Sequence, residues 1–336
     1  MTATSRHVVL RRHPTGRLSP DDFELVERPF APLAAGQFRT RNRFLSLDAG
    51  FRQWMNAGSS DNYLAEMPLG EPVQSIVLGE VIESRHADWP EGRWVLARTA
   101  WESHSVTDGS DLATPVEPLP GVPLEEHLGA LGPAGMTAYF GLFAVGRLVP
   151  GDRVLVSAAA GGVGSLVGQL ARIAGCRPVG IAGGERKCRF LVEQLGYAAA
   201  VDHRAHGDLA AAIAAACPEG VDLYFDNVGG RVLDAALANL REGARVVLCG
   251  MVSQYEGEAA PIHRLWQLVT KRAEARGFMF SDFLPQFAEA AERLGRWVQE
   301  GRLSTPFHVT EGLENAPRAF CEMLAGANLG KAIVRL

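Results

Sequence analysis

Apolar residues follow two different regimes along this chain of 336 residues. Up to about Pro120 they fall into short runs of strand character. These are Arg39–Leu47, with a polar first half, then Ser75–Glu83 and Gly92–Arg98. Turn residues punctuate them densely, at Pro14-Thr-Gly16, Pro29-Phe-Ala-Pro32 and Pro90-Glu-Gly92. That pattern predicts a compact β-rich domain. Thr114–Pro123 carries four prolines and reads as a connector.

From about Gly129 strand and helix patterns alternate, as a parallel doubly wound sheet requires. The predicted strands are Arg153–Ala158, Pro178–Ala182, Ala200–Asp202, Val221–Asn227, Ala244–Cys249 and Arg276–Phe280. Predicted helices between them include Lys187–Leu195, Asp208–Cys217 and Arg231–Leu240. A longer amphipathic helix over Phe283–Glu300 aligns Phe283, Phe287, Ala291, Leu294 and Trp297 or Val298. Leu303–Leu336 holds a short helix and a final strand, expected to return to the first domain. The expected division is 1–125, 126–300 and the returning segment 301–336.

The most informative stretch is Arg153-Val-Leu-Val-Ser-Ala-Ala-Ala-Gly161-Gly-Val-Gly164. It predicts a buried strand, a tight turn and a helix whose apolar face carries Val163, Leu166, Val167, Leu170 and Ile173. In the dinucleotide fingerprint, three small residues allow the sharp turn, the close approach to a pyrophosphate, and close helix–strand packing. Here Ala159, Gly161 and Gly164 take those places. The helix start, with its unpaired N–H groups and dipole, favours an anion.

Composition places few further limits. At 47% hydrophobic and 21% charged residues, this is the balance of an ordinary globular protein. A net charge of −5 gives no support to nucleic-acid or anionic-membrane binding. No apolar signal segment opens the chain, and no apolar run approaches the roughly 20 residues of a membrane span. The five cysteines (Cys176, Cys188, Cys217, Cys249, Cys321) form no C-x-x-C pair, which fits reduced thiols and a cytoplasmic location. Residues 1–120 hold no cysteine, and His7, His13, His86 and His104 lie singly, so no metal site is expected.

The second strand of the doubly wound sheet ends Gly180-Ile-Ala-Gly183-Gly184, with no carboxylate at its tip. Beyond it come Glu185, Arg186 and Lys187. A tip carboxylate binds the ribose 2′-hydroxyl of NAD, whereas a cation pairs with the 2′-phosphate of NADP. NADP(H) is therefore the expected cofactor.

Several segments, in order, are similar to one known family. They include Asn42-Arg-Phe-Leu-Ser-Leu-Asp48, Gly135-Met-Thr-Ala-Tyr139, Ser157-Ala-Ala-Ala-Gly-Gly-Val-Gly-Ser165 and Gly175-Cys-Arg-Pro-Val-Gly-Ile-Ala-Gly183. Further on come Tyr224-Phe-Asp-Asn-Val-Gly-Gly230, Cys249-Gly-Met-Val-Ser-Gln-Tyr255 and Asn328-Leu-Gly-Lys331. Over nearly its whole length the chain resembles zinc-independent medium-chain dehydrogenases/reductases, in the branch of prostaglandin reductase, leukotriene 12-hydroxydehydrogenase and alkenal double-bond reductase.

The resemblance implies an α/β fold: a Rossmann doubly wound parallel sheet domain plus a β-rich GroES-like substrate domain. It implies that Gly161, Gly162, Val163 and Gly164 lie under the pyrophosphate, with Gly183 at the strand tip and Lys187 on the 2′-phosphate. Asn227, Cys249, Gly250, Ser253 and Tyr255 would line the cofactor, Phe278 and Met279 would border the nicotinamide, and Asn328 would touch the cofactor from the C-terminal segment. Tyr255 is the candidate catalytic hydrogen-bonding residue near the substrate carbonyl or the nicotinamide ribose. His203 stands where a tyrosine usually contacts the cofactor. Gly50, in Asp48-Ala-Gly-Phe-Arg52, replaces a tyrosine that often borders the substrate pocket, and Glu71-Pro-Val-Gln-Ser-Ile-Val-Leu lacks the usual glycine-rich approach.

The expected activity is NADPH-dependent reduction of the C=C bond of α,β-unsaturated aldehydes or ketones. That chemistry needs hydride at the β-carbon, a stabilised enolate oxygen and a proton at the α-carbon, and it needs no zinc. Alternatives are quinone reduction on the same fold, oxidation of a secondary alcohol, and a non-catalytic NADPH-binding sensor. The expected partners are a small conjugated carbonyl substrate and a second copy in a homodimer, with neither nucleic acid nor membrane.

Overall fold

The computed structural model describes residues 4–205, 207–257 and 260–336. By its internal contacts the chain divides into two units, residues 1–128 with 307–328 and 332–336, and residues 129–306 with 329–331.

The first unit is β-rich. β1 (Thr4–Leu10) and β2 (Phe23–Pro29) form an antiparallel two-stranded sheet. β3 (Phe38–Ser46), β4 (Gln74–Ser84) and β5 (Trp94–Ala100) pair antiparallel in sequence order. β6 (His104–Thr107) pairs with β3, and β7 (Thr114–Val116) closes the far edge on β5. β7 falls inside the stretch read as a connector. Pro115 within it sits on an edge strand, where a residue without an N–H costs no ladder bond on the open side.

The second unit begins with α1 (Pro133–Phe140), an apolar helix with no polar face to reveal it in the sequence. β8 (Arg153–Val156), α2 (Gly162–Ile173), β9 (Arg177–Ala182), α3 (Glu185–Glu193), β10 (Ala199–Asp202), α4 (Leu209–Ala216), β11 (Val221–Asp226), α5 (Gly230–Leu237), β12 (Leu240–Leu248), the short α6 (Trp266–Thr270) and β13 (Glu274–Gly277) follow. The six strands pair in parallel in the order β10-β9-β8-β11-β12-β13. Alternation along each strand serves two cores. Val154, Val156, Leu223 and Phe225 join the cluster that holds α1 and α2 residues, while Leu155 and Tyr224 join the one that holds Leu209, Ile213, Val232 and Leu237 of α4 and α5.

α7 (Phe287–Gln299) is shorter than its apolar periodicity predicts. Residues Phe280–Gln286 before it form a 3-10 turn containing Pro285, which lacks an N–H and disfavours helical geometry at the residue before it. The chain then runs through β14 (Phe307–Glu311), α8 (Ala316–Leu324) and β15 (Lys331–Arg335). β14 and β15 extend the first unit's large sheet to seven strands, β15 pairing antiparallel with β3. This is the α/β arrangement expected, with a doubly wound parallel sheet in one unit and a separate β-rich sheet in the other.

Candidate functional site

In an open parallel sheet the strand order reverses at one place, and ligands bind outside the carboxyl ends of the strands there. Here that place lies between β8 and β11. The loops leaving these two strands are the glycine turn and the Asp226–Gly230 turn.

After β8 the backbone turns sharply, with Ala158 at φ 45°. Gly161 is the N-cap of α2 and contributes no side-chain cap, so the first-turn N–H groups keep the capacity to bind an anion. A methyl on Gly164 would lie 2.7 Å from Ala159 Cα, so glycine is what lets the helix rest on the turn. Ala159 in the first fingerprint place is accommodated by Gly180 on β9, whose own Cβ would sit 2.8 Å from the Ala159 methyl. Tyr197 secures the helix from the other side, donating its hydroxyl to Gly164 O at 2.6 Å. Gly330 N donates to Ala160 O at 2.7 Å, fastening the segment before β15 to the turn. A methyl on Gly162 would meet Lys331 Cδ at 2.9 Å.

The second loop hangs on Asp226, which is fully buried. Its carboxyl oxygens accept from Tyr224 Oη at 2.6 Å, Ser157 Oγ at 2.9 Å, Val228 N at 3.0 Å and Gly229 N at 3.1 Å. Burial and the Asp226 carboxylate push the Tyr224 phenol well above its usual range, which keeps it a donor. Asn227 is fixed twice by Ser157: its N donates to Ser157 Oγ at 2.8 Å and its Nδ2 to Ser157 O at 2.7 Å. Cys249 N and Gly250 N both donate to Asp226 O, at 2.8 and 3.1 Å. Ser253 donates through Oγ to Val228 O at 2.6 Å. Tyr255 follows, its Oη accepting from Met251 N at 3.1 Å. The structure thus brings Asn227, Cys249, Gly250, Ser253 and Tyr255 onto one hydrogen-bonded scaffold. Burial pushes the Cys249 thiol up to about 12, so it packs as a neutral group and is no nucleophile.

A third cluster forms at the tip of β9. Asp202, at the end of β10, accepts from Gly184 N at 2.8 Å and from Arg204 N at 2.9 Å. Burial opposes its ionisation, but these two N–H groups outweigh it and hold the carboxyl below its usual range. The acidic side chain near this tip is therefore engaged by backbone. Lys187 lies half-buried in the first turn of α3, and burial, then Arg204 and Arg186, hold its ammonium below the usual lysine range. Among the described residues no carboxylate pairs with Lys187, Arg186 or Arg204. His203 and Arg204 converge over Gly183, where a Cβ would lie 2.9 Å from His203 Nε2 and 2.8 Å from Arg204 Nε. A half-buried ammonium beside two exposed guanidiniums, none of them in an ion pair among the described residues, is what a dianionic phosphate would satisfy, so these residues fit NADP(H).

The remaining expected site residues lie elsewhere. Phe278 packs inward, its ring edge-on to Phe283 at 6.4 Å and close over Gly141. Met279 follows it, 37% exposed. Asn328 is buried and groups with the β-rich unit. Gly50, in that unit, lies on a 3-10 turn with open space beside it, the nearest atom to an added Cβ being Trp54 Cζ3 at 3.9 Å. Among the described residues no group of three or more His, Cys, Asp or Glu could hold a metal ion.

Three residues escaped the sequence reading. Asp226 and Ser157 lie inside the family-like segments without an assigned role, and only their burial shows that they build the loop. Arg204 lies past β10, beyond the strand tip where the fingerprint directs attention.

An open parallel sheet with a glycine turn at its switch point, joined to an antiparallel β-rich unit, defines a dehydrogenase/reductase of the medium-chain type. Residues 6–114 match the N-terminal domain of oxidoreductase, and 162–296 match the family described as zinc-binding dehydrogenase. The NADPH-dependent curcumin reductase of Escherichia coli (strain K12) is 37% identical, with 99% of this chain and 97% of the relative covered. The 2-alkenal reductase (NADP(+)-dependent) of Nicotiana tabacum is 34% identical, with 98% and 97% covered. The crystal structure of CurA in complex with NADPH from Vibrio vulnificus is similar with a TM-score of 0.91 at 37% identity, covering 98% of each chain. The chain belongs to the zinc-independent medium-chain dehydrogenase/reductase family, in its prostaglandin reductase and alkenal reductase branch.

Proposed function

We propose that this protein is an NADPH-dependent reductase of the C=C bond of α,β-unsaturated aldehydes and ketones. The observation that carries the reading is the unpaired cation cluster at the β9 tip, in a chain akin over nearly its full length to reductases named for NADP(H) and for alkenal or curcumin. When bound, NADPH supplies hydride to the β-carbon. The chain's residues bind and orient. Gly161, Gly162, Val163 and Gly164 receive the pyrophosphate at the start of α2, and Gly183, Lys187 and His203 receive the 2′-phosphate. Asn227, Cys249, Gly250 and Ser253 line the nicotinamide side from the Asp226 scaffold, with Phe278, Met279 and Asn328 assigned to its border. Tyr255 is the hydrogen-bonding residue for the developing enolate oxygen or the ribose beside it. A phenol both donates and accepts, and here its oxygen accepts the bond that Met251 N donates. Gly50 leaves room for a bulky conjugated substrate.

The acidic net charge and the absence of a long apolar helix among the described residues support a small-molecule substrate, without nucleic acid or membrane as partner. Five cysteines without a C-x-x-C pair support a reducing, cytoplasmic location. An open sheet edge at β13 supports a homodimer.

The test is loss of NADPH absorbance with a medium-chain 2-alkenal, with NADH and a benzoquinone run in parallel. Rapid loss with NADPH and the alkenal, and little with NADH, is expected. Tyr255→Phe is expected to lower kcat on the alkenal by about a hundredfold to a thousandfold, the scale of one lost oxyanion donor, while NADPH affinity stays within about twofold. Binding of NADPH without turnover of any conjugated carbonyl would overturn the reading in favour of a sensor. Turnover of quinone alone would favour the quinone reductase.

A further inference from the structure

The cation cluster at the β9 tip contains more than the lysine that the fingerprint identifies. His203 Nε2 and Arg204 Nε come to the same point above Gly183, from two consecutive residues just past the end of β10. The backbone holds them there. His203 N donates to Ala182 O at 3.0 Å, so the pairing with β9 carries on one residue past β10. Arg204 N is fixed on Asp202 Oδ1. From α5, Arg231 Nη2 donates to His203 O at 3.2 Å, closing the cluster on a third side. From α3 come Lys187 in the first turn and the exposed Arg186. The only acid of α3's first turn, Glu185, points toward Arg189, 3.8 Å away, and is 84% exposed. The charged groups that act on His203 are therefore Arg204 and Asp202 beside it in sequence and Arg231 on α5, while Lys187 on α3 lies within electrostatic reach of Arg204 and Arg186. One is an acid already bound to two N–H groups, and the rest are cations.

We propose that Arg204 and His203 join Lys187 in receiving the cofactor's 2′-phosphate, and that His203 takes up a proton as the phosphate arrives. NADPH then binds more tightly as pH falls toward neutrality, while NADH does not. This deepens the NADPH reading above and rests on it.

The sign follows from the surroundings. Burial, then Arg204 and Arg231, hold the free His203 imidazole below its ordinary range, against the opposing Asp202 carboxylate. Near pH 7 the ring is therefore mostly neutral in the free protein. A phosphate monoester carries about −1.5 to −2 charge at pH 7. Placed beside Nε2, it favours the imidazolium and raises the group's pKa in the complex. Between the free and the bound value each binding event takes up a proton, so affinity rises as pH falls through that interval. A second ribose hydroxyl in place of the phosphate brings no charge and no such linkage. Arg204 contributes its fixed charge at every pH. A charge-assisted hydrogen bond of this kind corresponds to about tenfold to a hundredfold in affinity.

The test measures binding without turnover. NADPH, NADH and 2′-AMP are titrated by fluorescence and calorimetry between about pH 6 and pH 9, in two buffers of different ionisation enthalpy. Wild type is compared with His203→Gln and Arg204→Gln. The phosphate's own titration is common to all three proteins and cancels in the comparison. Proton uptake is expected for wild type with NADPH and 2′-AMP, absent with NADH, and largely lost in His203→Gln. Arg204→Gln is expected to weaken NADPH about tenfold or more and leave NADH unchanged, which also shows that the variant is folded. Proton uptake in His203→Gln equal to wild type, or an Arg204→Gln defect equal for both dinucleotides, would overturn the inference while leaving the cofactor reading intact. Equal affinity of the wild-type protein for NADPH and NADH would overturn both.

Discussion

Asp226 is the side chain on which the loops at the carboxyl ends of β11 and β12 depend. Two hydroxyls and two backbone N–H groups converge on its carboxyl oxygens, and its own carbonyl takes the N–H groups of Cys249 and Gly250. All four of these partners are donors. An amide at this position would turn an NH2 group toward one of them, because asparagine has only one accepting oxygen. Asp226→Asn is therefore expected to cost about 1–3 kcal/mol, the scale of leaving a buried polar group unsatisfied. It is also expected to weaken NADPH binding, since Asn227 and Gly250 move with the scaffold. Thermal melting and NADPH titration on the one variant read both. An unchanged melting curve with unchanged affinity would show that the loops are held by something else. The turn itself is legible in the sequence through Asn227 and Gly229-Gly230, but nothing there assigns Asp226 a role. Only its burial, with a tyrosine and a serine as donors, separates a scaffold residue from a turn residue.

At the level of elements, what could be read from the chain tracks how each element gets its stability. The parallel strands β8, β9, β11 and β12 were legible because strands buried on both faces are runs of β-branched and apolar residues. β1 and β2 were missed because half of β2 is exposed and its polar residues hide the alternation. α1 was missed because a helix buried all round shows no stripe. The start of α7 was misplaced because apolar spacing continues through Pro285, where helical backbone does not. The α2 helix shows a constraint that periodicity cannot carry. Gly168 lies against the ring of Tyr197, and an added methyl would fall inside that ring. Tyr197 in turn is buried and bonded to Gly164 O, one turn earlier on the same helix. Gly168→Ala is expected to destabilise by about 1–3 kcal/mol through overpacking, although alanine is the better helix former by about 1 kcal/mol. It is also expected to tilt the start of α2 and so weaken NADPH. A stability gain in denaturant unfolding would mean that the ring moves aside freely.

On the scale of the whole molecule, the six-stranded sheet ends in β10 on one side and β13 on the other. All four residues of β13 are exposed, so one row of its backbone N–H and C=O groups lies open. Beside it in sequence, Leu265, Trp266 and Val269 are 54%, 68% and 59% exposed. An open strand edge next to large exposed apolar side chains is a liability that a monomer would be expected to blunt with charge, a bulge or a covering loop. A two-fold axis through the edge removes it. The same strand in two copies pairs antiparallel, and the same apolar patch meets itself, as an isologous interface requires. The expected state is a dimer of twice 36.1 kDa by size exclusion with light scattering at micromolar concentration. The double substitution Trp266→Glu with Val269→Glu places two like-charged groups on each side of the axis, and is expected to give the 36.1 kDa monomer. NADPH affinity measured on that monomer tells whether the nucleotide site depends on the partner. The residues assigned to the pyrophosphate and 2′-phosphate belong to β8–β10, α2 and α3, on the far side of the sheet order from β13. Affinity is therefore expected to survive dissociation within about twofold. A wild-type protein that runs as a monomer at these concentrations would overturn the dimer and leave the exposed tryptophan without a role.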